Sequence, residues 1–300
     1  IRNHSDNKNY DFHNHDVKDN EKLKSLMSQC DFLIAGAAMI GGISYFHEFE
    51  YDLISENEKI ISTTTDVAID CYLNHNLKRA IFLSSSMVFE SSDIFPTKEE
   101  DLYKIPPPIS SYGFQKLAVE YFARSACSQY GLEYSIARPF NCVGIGEVKT
   151  KTEKKLSDSS SKLALSHVVP DLILKTLEAE DSIEILGNGN QIRHYTYGED
   201  LAEGIGLLLE HPNAKNQDFN LSTSQSTTVL ELAEIIWQKI KPNQDFKYTS
   251  TDSFEYDVQK RIPSTEKAKS LLGYEAKTSL DQMLDIVIPW IKDAKQKNLF

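Results

Sequence analysis

Short apolar runs alternate with amphipathic segments along the chain, and this alternation predicts strands followed by helices. Three apolar runs, 30–38, 80–83 and 132–137, have the continuous hydrophobicity of strands buried on both faces of a parallel sheet. One helical pattern, at 20–29, precedes the first run, and another, at 112–128, lies between the second and third runs. Later segments continue the alternation, with strands at 183–186 and 219–222 and helices at 171–178, from Thr227 onward and at 279–292. The pattern predicts an α/β protein.

Composition narrows the class of protein. The 300 residues are 40% hydrophobic, which is ample for a core. The net charge of −12 comes with no basic stripe, which argues against nucleic acid or an anionic membrane as a partner. No apolar run is long enough to span a bilayer and no signal peptide is recognisable, so we expect a cytoplasmic location.

The cysteines indicate reduced thiols. Cys30, Cys71, Cys127 and Cys142 lie far apart and form no Cys-x-x-Cys pair. We therefore expect neither a disulfide framework nor a metal site.

The segment 80–116 carries the candidate chemistry. Its strand ends in three serines, Ser84 to Ser86, and ligands bind at the carboxyl ends of parallel strands. After a loop with three prolines, Tyr112 and Lys116 stand four apart, which on a helix puts both side chains on one face. An ammonium favours a nearby phenolate, so we expect Lys116 to lower the pKa of Tyr112 and make it a base.

This segment resembles the active-site segment of the NAD-dependent epimerase/dehydratase family, the extended short-chain dehydrogenases/reductases. The resemblance runs from Phe12 to about Lys292. It implies a Rossmann-type doubly wound parallel sheet, truncated at its N-terminus, with a smaller C-terminal α/β substrate-binding domain. On that basis, residues 1–142 are expected to form the NAD-binding domain and 143–300 mainly the substrate domain, with about 194–221 returning to the first.

The resemblance also assigns the catalytic residues. Tyr112 would remove a proton from a sugar hydroxyl as hydride leaves the same carbon for NAD, while Lys116 would bind the nicotinamide ribose. Ser85 would hydrogen-bond the reacting oxygen, because it stands three residues before Val88, which is the family's spacing. Ser86 is the alternative.

Cofactor contacts are implied at several further positions. Asp16 and Val17, after a short strand near Phe12, take the places that contact adenine in the family. The small residues 36–38 would let a backbone approach the cofactor closely, and simple close packing is the alternative. The full set of implied contacts, besides Tyr112 and Lys116, is Asp16, Val17, Gly36, Ala37, Ala38, Asn57, Ser84, Pro139 and Phe140. Asn57 fits the family's buried asparagine, and a surface asparagine is the alternative.

One departure from the family lies upstream. The opening strand and its Gly-x-x-Gly-x-x-Gly turn, which hold pyrophosphate on a helix N-terminus, are missing, as is the acidic residue for the adenine ribose. By the family's layout, about 35 to 40 residues would precede Ile1. We expect a fragment of a longer protein, the alternative being a chain that cannot hold NAD normally. NAD is the expected cofactor and NADP the alternative.

Substrate contacts are implied near the end of the third strand and beyond. Asn141 would reach the nucleotide sugar, and Arg193, in a Gly-x-Gly-x-x-x-Arg segment, would contact the diphosphate through its bidentate donors. Arg261 begins Arg-x-Pro-Ser, where the family has Arg-x-Pro-Asp, and would add a phosphate or ribose contact. The implied substrate residues are Ser86, Met87, Asn141, His167, Val168, Arg193 and Arg261.

His167 is a possible catalytic acid in addition to Ser85, Tyr112 and Lys116. Its Ser-His-Val-Val-Pro segment is similar to one that supplies a catalytic histidine in the GDP-fucose synthases of the family, but in other relatives this segment only lines the substrate. The Lys-, Ser- and Asp-rich stretch 149–162 has no periodicity and is expected to be a mobile loop.

Position 87 separates the activities within the family. Dehydratases, decarboxylases and GDP-fucose synthases carry an ionisable residue there for a second proton transfer, whereas Met87 has no ionisable proton. The leading hypothesis is therefore an NAD-dependent nucleotide-sugar epimerase acting at the sugar's fourth carbon. The alternatives are an NADPH-dependent 4-ketosugar reductase of the GDP-fucose synthase type, suggested also by Gly-Gly-Ile at 41–43, and a non-catalytic nucleotide-sugar-binding protein. The expected partners are a nucleotide-diphosphate sugar and a second copy of the chain, paired through a four-helix bundle that includes the tyrosine helix.

Overall fold

A computed structural model describes residues 7–40, 49–146, 167–252 and 258–297, and the statements below refer to these residues. Four parallel strands form the main sheet in the spatial order β1-β2-β3-β8. They are β1 (Phe32–Ala35), β2 (Arg79–Leu83), β3 (Tyr134–Pro139) and β8 (Gln217–Leu221). Because β2 and β3 are central, their side chains are mostly buried on both faces, as their apolar sequences predict.

Helices cover both faces of this sheet. On one face, α1 (Asn20–Met27), α2 (Glu50–Asn74) and α3 (Ser111–Tyr130) enclose a core that includes Phe82 and Ile136. On the other face, α5 (Gly198–Glu210) and α7 (Glu266–Leu272) enclose a core around Phe219. The doubly wound parallel sheet expected from the sequence is confirmed.

A second group of elements forms its own core around Trp237, whose side chain has no exposed surface. It contains α4 (Val168–Glu178), β5 (Ile183–Leu186), α6 (Val229–Ile240), β10 (Tyr248–Thr251) and α8 (Leu280–Gln296). Two short strand pairs lie between the two parts: β4 (Cys142–Val143) with β7 (Thr196–Tyr197), and β6 (Ile192–Arg193) with β9 (Thr227–Thr228). The domain boundary at residue 142 stays a prediction.

Three details differ from the sequence-based expectations. The short strand expected near Phe12 is not formed, because no described strand lies beside these residues to share backbone hydrogen bonds. Helix α4 begins at Val168 rather than Asp171, since Pro170 falls in the first turn, where no intrahelical N–H donor is needed. Helix α8 runs on to Gln296 rather than ending at Lys292.

Several segments singled out in the sequence lie outside the described ranges, whereas the cysteines and the search for membrane-spanning helices can be described. The Gly-Gly-Ile at 41–43, the loop 149–162 and Ser166 lie outside the described residues. All four cysteines are free thiols. Within the described ranges, no helix has both the length and the apolar character to cross a membrane.

Candidate active site

Tyr112 is the second residue of α3, and the local sequence fixes where that helix starts. The Ser110 side chain caps the helix by accepting a hydrogen bond of 3.0 Å from the Gly113 N–H. Gly113 has no room for a side chain, because a Cβ there would lie 2.8 Å from both the Met87 carbonyl oxygen and Pro108 Cβ. The turn Ser86–Phe89 therefore packs directly on the first turn of α3.

Ser85 is the serine that faces Tyr112. Ser84 and Ser86 are buried, whereas Ser85 and Met87 are half-buried. The Ser85 hydroxyl hydrogen-bonds the Tyr112 phenol and also accepts from the Met87 N–H at 3.2 Å. This contact favours Ser85 over the alternative, Ser86.

The electrostatics of Tyr112 differ from the expectation. Burial raises the pKa of Tyr112, while the Ser85 hydrogen bond and the charge of Arg261 act to lower it. The Lys116 ammonium lies 5.8 Å from the centre of the Tyr112 ring and donates to the Leu83 carbonyl at 3.2 Å. The net direction is thus upward because of burial, and the expected lowering of this pKa by Lys116 stays a prediction.

Lys116 is itself perturbed. Its side chain is 6% exposed, and burial lowers the pKa of Lys116 to about 8. No carboxylate among the described residues pairs with it, and its one protein hydrogen bond leaves donors unused. A buried cation with spare donors is suited to binding hydroxyl groups of a ligand.

Ser84 faces the helix rather than the open end of the strand. Its hydroxyl donates to a Glu120 carboxylate oxygen at 2.7 Å, and Glu120 is in turn paired with Arg138. These buried partners make Ser84 part of the packing between β2 and α3.

The implied adenine side of the site lies beside β1. Val17 lines an apolar hollow together with Leu33, Gly36 and Ala37, while Asp16 is exposed and its carboxylate accepts from the Lys18 N–H at 2.9 Å. Ala38 follows Ala37 as a half-buried residue in the loop after β1. These small residues leave the carboxyl end of β1 open.

Asn57 holds the loop that follows β1. It is 1% exposed, so it is the buried asparagine expected and not a surface one. Its amide accepts from the Met39 N–H at 2.6 Å and donates to the Met39 carbonyl at 2.9 Å. Its side chain therefore acts on the backbone of this loop.

The residues at the end of β3 and just after it differ in burial: Phe140 belongs to the core, whereas Pro139 and Asn141 are only partly buried. Phe140 is 1% exposed and stacks on Phe89, with 6.4 Å between ring centres, so its ring belongs to the core. Pro139 is half-buried. Asn141 adopts a left-handed backbone conformation (φ 40°), which asparagine tolerates, and donates to the His194 carbonyl at 3.1 Å.

The two arginines are brought to the same region by backbone pairing. Arg261 donates its backbone N–H to the Ile192 carbonyl at 3.1 Å, which puts it beside Arg193 on β6. Arg193 is 8% exposed and one guanidinium nitrogen donates to the Ile192 carbonyl at 2.9 Å. Both arginine charges act on the buried Tyr195, and the Arg261 charge also reaches Tyr112. The charge of Arg261 thus acts on Tyr112, and Arg193 lies beside Arg261.

His167 and Val168 lie at the start of α4, and Val168 packs against the second core. His167 is an exposed residue at the N-terminal end of α4, and Val168 is its half-buried first residue. Their expected substrate contacts stay predictions.

Sequence reasoning missed three residues that shape the site. Glu120 continues the four-residue spacing of Tyr112 and Lys116 along α3, a signal that could have identified it. Arg138 is the second-last residue of β3 and binds Glu120. His194 had no local signal: its Nδ1–H donates to the Thr223 carbonyl, its Nε2 accepts from Ser226, both at 2.8 Å, and its carbonyl holds Asn141.

The arrangement of Ser85, Tyr112 and Lys116 is suited to moving a proton. A phenol that is hydrogen-bonded to a serine and near a buried lysine is suited to accepting a proton from an alcohol. In the part of the chain that the structure describes, no cluster of His, Cys, Asp and Glu could hold a metal ion.

Comparison with known proteins gives a consistent picture. The family model described as "NAD dependent epimerase/dehydratase family" matches residues 2–222. UDP-glucose 4-epimerase of Halalkalibacterium halodurans is 28% identical over 295 residues, covering 94% of this chain and 83% of that protein. GDP-L-fucose synthase of Sinorhizobium fredii is 27% identical over 256 residues, covering 83% and 75%. The crystal structure of UDP-glucuronic acid 4-epimerase from Bacillus cereus, with UDP-glucuronic acid and NAD, superposes with a TM-score of 0.79 at 20% identity, covering 96% and 83%.

Proposed function

The chain belongs to the NAD-dependent epimerase/dehydratase family, and from this premise we propose that it inverts the fourth carbon of the sugar in a nucleotide-diphosphate sugar. The observation that carries the proposal is the hydrogen bond between Ser85 and Tyr112, with Lys116 on the same helix face and Met87 beside them. Membership makes the chain an enzyme of the nucleotide-sugar epimerase and dehydratase kind. The specific reaction is our proposal.

The proton steps follow from the residues present. Tyr112 takes the proton of the sugar's 4-hydroxyl, and Ser85 donates a hydrogen bond to the same oxygen. Loss of a hydride from the carbon that bears this oxygen leaves a 4-ketosugar. After this sugar turns over, the hydride would return to the opposite face of that carbon, and Tyr112 returns the proton to the 4-oxygen. A positioned base of this kind contributes on the order of 10² to 10⁴ in rate.

The residues fit a nicotinamide dinucleotide on two sides. Lys116 has unused donors for the ribose hydroxyls. Of the two residues Pro139 and Phe140, the half-buried Pro139 is the one available to border the nicotinamide. Val17, Gly36 and Ala37 line an apolar hollow that we propose as the adenine side of the site. The chemistry that the dinucleotide supplies is the reversible acceptance of a hydride from the sugar carbon.

Position 87 supports epimerisation over the other reactions of the family. A dehydratase, a decarboxylase or a fucose synthase needs a second ionisable group beside the serine, and the Met87 thioether carries no proton. Its half-buried side chain instead offers the substrate an apolar contact.

Arg193 and Arg261 support an anionic substrate. Two guanidinium groups brought together by the backbone pairing at Ile192 suit a diphosphate, and the position of Arg261 near Tyr112 would link diphosphate binding to the reacting end. Ser86 and Asn141 complete the set of proposed substrate contacts.

A second candidate is an NADPH-dependent 4-ketosugar reductase. It is favoured by the similarity to GDP-L-fucose synthase and by His167, an exposed histidine that could supply a proton. The third candidate is a non-catalytic nucleotide-sugar-binding protein. The presence of Ser85, Tyr112 and Lys116 argues against it, because binding alone does not require these three residues together.

The proposed partner of the folded chain is a second copy. Along α3, an apolar groove is lined by Phe114, Leu117, Ala118, Tyr121 and Phe122, and Tyr121 is 63% exposed. A helix pair from another copy, meeting α2 and α3, would cover this groove and form a four-helix bundle.

The test is mass spectrometry of the nucleotide released when the full-length protein is denatured, followed by assays with UDP-sugars. Tightly held NAD and interconversion of 4-epimers support the proposal. Absence of bound dinucleotide, with NADPH oxidised only when a ketosugar is supplied, would favour the reductase instead.

A further inference from the structure

Glu90 binds the residue that caps the helix of the catalytic tyrosine. One carboxylate oxygen of Glu90 accepts from the Ser110 N–H at 2.5 Å, and the other accepts from the Ser110 hydroxyl at 2.6 Å. The same Ser110 oxygen accepts from the Gly113 N–H at 3.0 Å. Two consecutive hydrogen bonds therefore connect Glu90 to the first turn of α3, the first from the Ser110 hydroxyl and the second from the Gly113 N–H to that hydroxyl. Tyr112 lies between Ser110 and Gly113 in the sequence.

Glu90 also belongs to the turn that carries Ser85. Its N–H donates to the Met87 carbonyl at 3.2 Å, and the Val88 N–H donates to the Ser85 carbonyl at 3.2 Å. One residue thus ends the turn on one side and binds the start of α3 on the other. The two elements that meet in the hydrogen bond between Ser85 and Tyr112 are joined by this carboxylate.

Two further contacts hold the same two elements together. The Ser91 hydroxyl donates to the Pro107 carbonyl at 3.1 Å, which ties the next residue to the proline loop before α3. Gly113 allows the Met87 carbonyl to lie against the helix where any Cβ would overlap it. A carboxylate is also favourable at this end of α3, because the helix N-terminus carries partial positive charge.

We propose that Glu90 is a positioning residue: it fixes the first turn of α3 against the turn Ser86–Phe89 and so keeps the Tyr112 hydroxyl in hydrogen-bonding reach of Ser85. This inference rests on the proposed role of Tyr112 as the base. The groups that face Tyr112 are Ser85 from the strand end, Arg261 from the segment beside β6 and Lys116 from its own helix.

The test compares Glu90→Ala and Glu90→Gln with a matched control, Glu100→Gln, an exposed glutamate of the loop that leads to α3. NMR of protein labelled at tyrosine Cζ, assigned with Tyr112→Phe, follows the ionisation of Tyr112. In Glu90→Ala the midpoint should move to higher pH, because the Ser85 hydrogen bond that favours the phenolate is weakened. Glu90→Gln, which keeps one acceptor for the Ser110 N–H, should move it less, and Glu100→Gln should not move it.

Kinetics supply the second measurement. Glu90→Ala should lower kcat by about 10 to 100-fold with KM changed by less than about twofold, since the base and not the substrate site is displaced. The pH at which activity rises should shift upward with the NMR midpoint.

Other outcomes are separable. A lower melting temperature with an unchanged Tyr112 midpoint and kcat would make Glu90 a purely structural residue and overturn the proposal. If Glu90→Ala does not fold, an unchanged midpoint in Glu90→Gln overturns it equally. A wild-type protein without epimerase activity would refute the proposed function, whereas the NMR titration would still decide the role of Glu90.

Discussion

Arg138 donates two hydrogen bonds of 2.7 Å to the Glu120 carboxylate, and neither side chain has any exposed surface. Glu120 also accepts from Ser84 at 2.7 Å, and Arg138 binds Asp218 on β8. Glu120 lies one turn after Lys116 on α3, and Ser84 directly precedes Ser85. The pair therefore holds α3, which carries Tyr112 and Lys116, against the strand end that carries Ser85.

Removing one member of this pair should destabilise the protein strongly. Glu120→Ala leaves the Arg138 charge buried with Asp218 as its remaining carboxylate, and we expect a loss of about 3 to 5 kcal/mol in the free energy of unfolding, measured with urea. Glu203→Ala, which removes an exposed carboxylate of α5, should cost less than about 0.5 kcal/mol.

A double variant separates burial of charge from loss of contact. Glu120→Leu combined with Arg138→Met should lose less stability than the sum of its two single changes, because no buried charge of the pair is left unpaired. Strictly additive losses, or a Glu120→Ala cost below about 1 kcal/mol, would contradict this interpretation.

The buried charge of Lys116 should lower the stability of the folded protein. Its pKa of about 8 lies below the ordinary 10.5, so the unfolded chain binds more protons between these values and stability should rise with pH across that window. Below pH 8 the folded protein carries the full cost of a buried ammonium. Lys116→Met should therefore stabilise the ligand-free protein at pH 7 by about 1 to 3 kcal/mol while abolishing turnover.

The pH dependence provides the check on Lys116. In urea unfolding, the advantage of Lys116→Met over the wild type should shrink as pH rises from 8 towards 10.5. An advantage that stays constant over this range, or a less stable variant at pH 7, would show that the burial of Lys116 does not carry this cost.

The apolar groove on α3 predicts the oligomeric state. Tyr121→Glu puts a charge into that groove and should convert a wild-type dimer to monomer in sedimentation velocity. Tyr248→Glu changes a tyrosine of similar type on β10, 41% exposed and away from α3, and should leave the dimer intact. A wild-type protein that is monomeric at micromolar concentration would refute the proposed interface.

The sequence predicted what depends on local spacing. The interval from Tyr112 to Lys116 and the serines at the end of β2 follow from helix periodicity and from the direction of a parallel strand, and the structure bears out both placements. The start of α6 was predictable for the same reason, because Thr228 and Glu231 form a reciprocal cap.

The remaining features depend on contacts between distant parts of the chain. The charge of Arg261 reaches Tyr112 only because its backbone pairs with Ile192, and nothing near Arg261 in the sequence indicates this. The hydrogen bond from Lys116 to the Leu83 carbonyl was likewise not predictable from the spacing of Tyr112 and Lys116. Asn57 was predictable as buried, while its hydrogen bonds to Met39 were not.

The most direct test of the account uses UDP-glucose carrying deuterium at the fourth carbon of the sugar, incubated with the full-length protein. If the hydride leaves and returns to the same carbon, the product should be UDP-galactose that retains its deuterium, formed without added NADPH. Tyr112→Phe should reduce this rate by about 10² to 10⁴. Loss of the deuterium to solvent, net consumption of NADPH, or turnover that survives Tyr112→Phe would contradict the proposed 4-epimerisation.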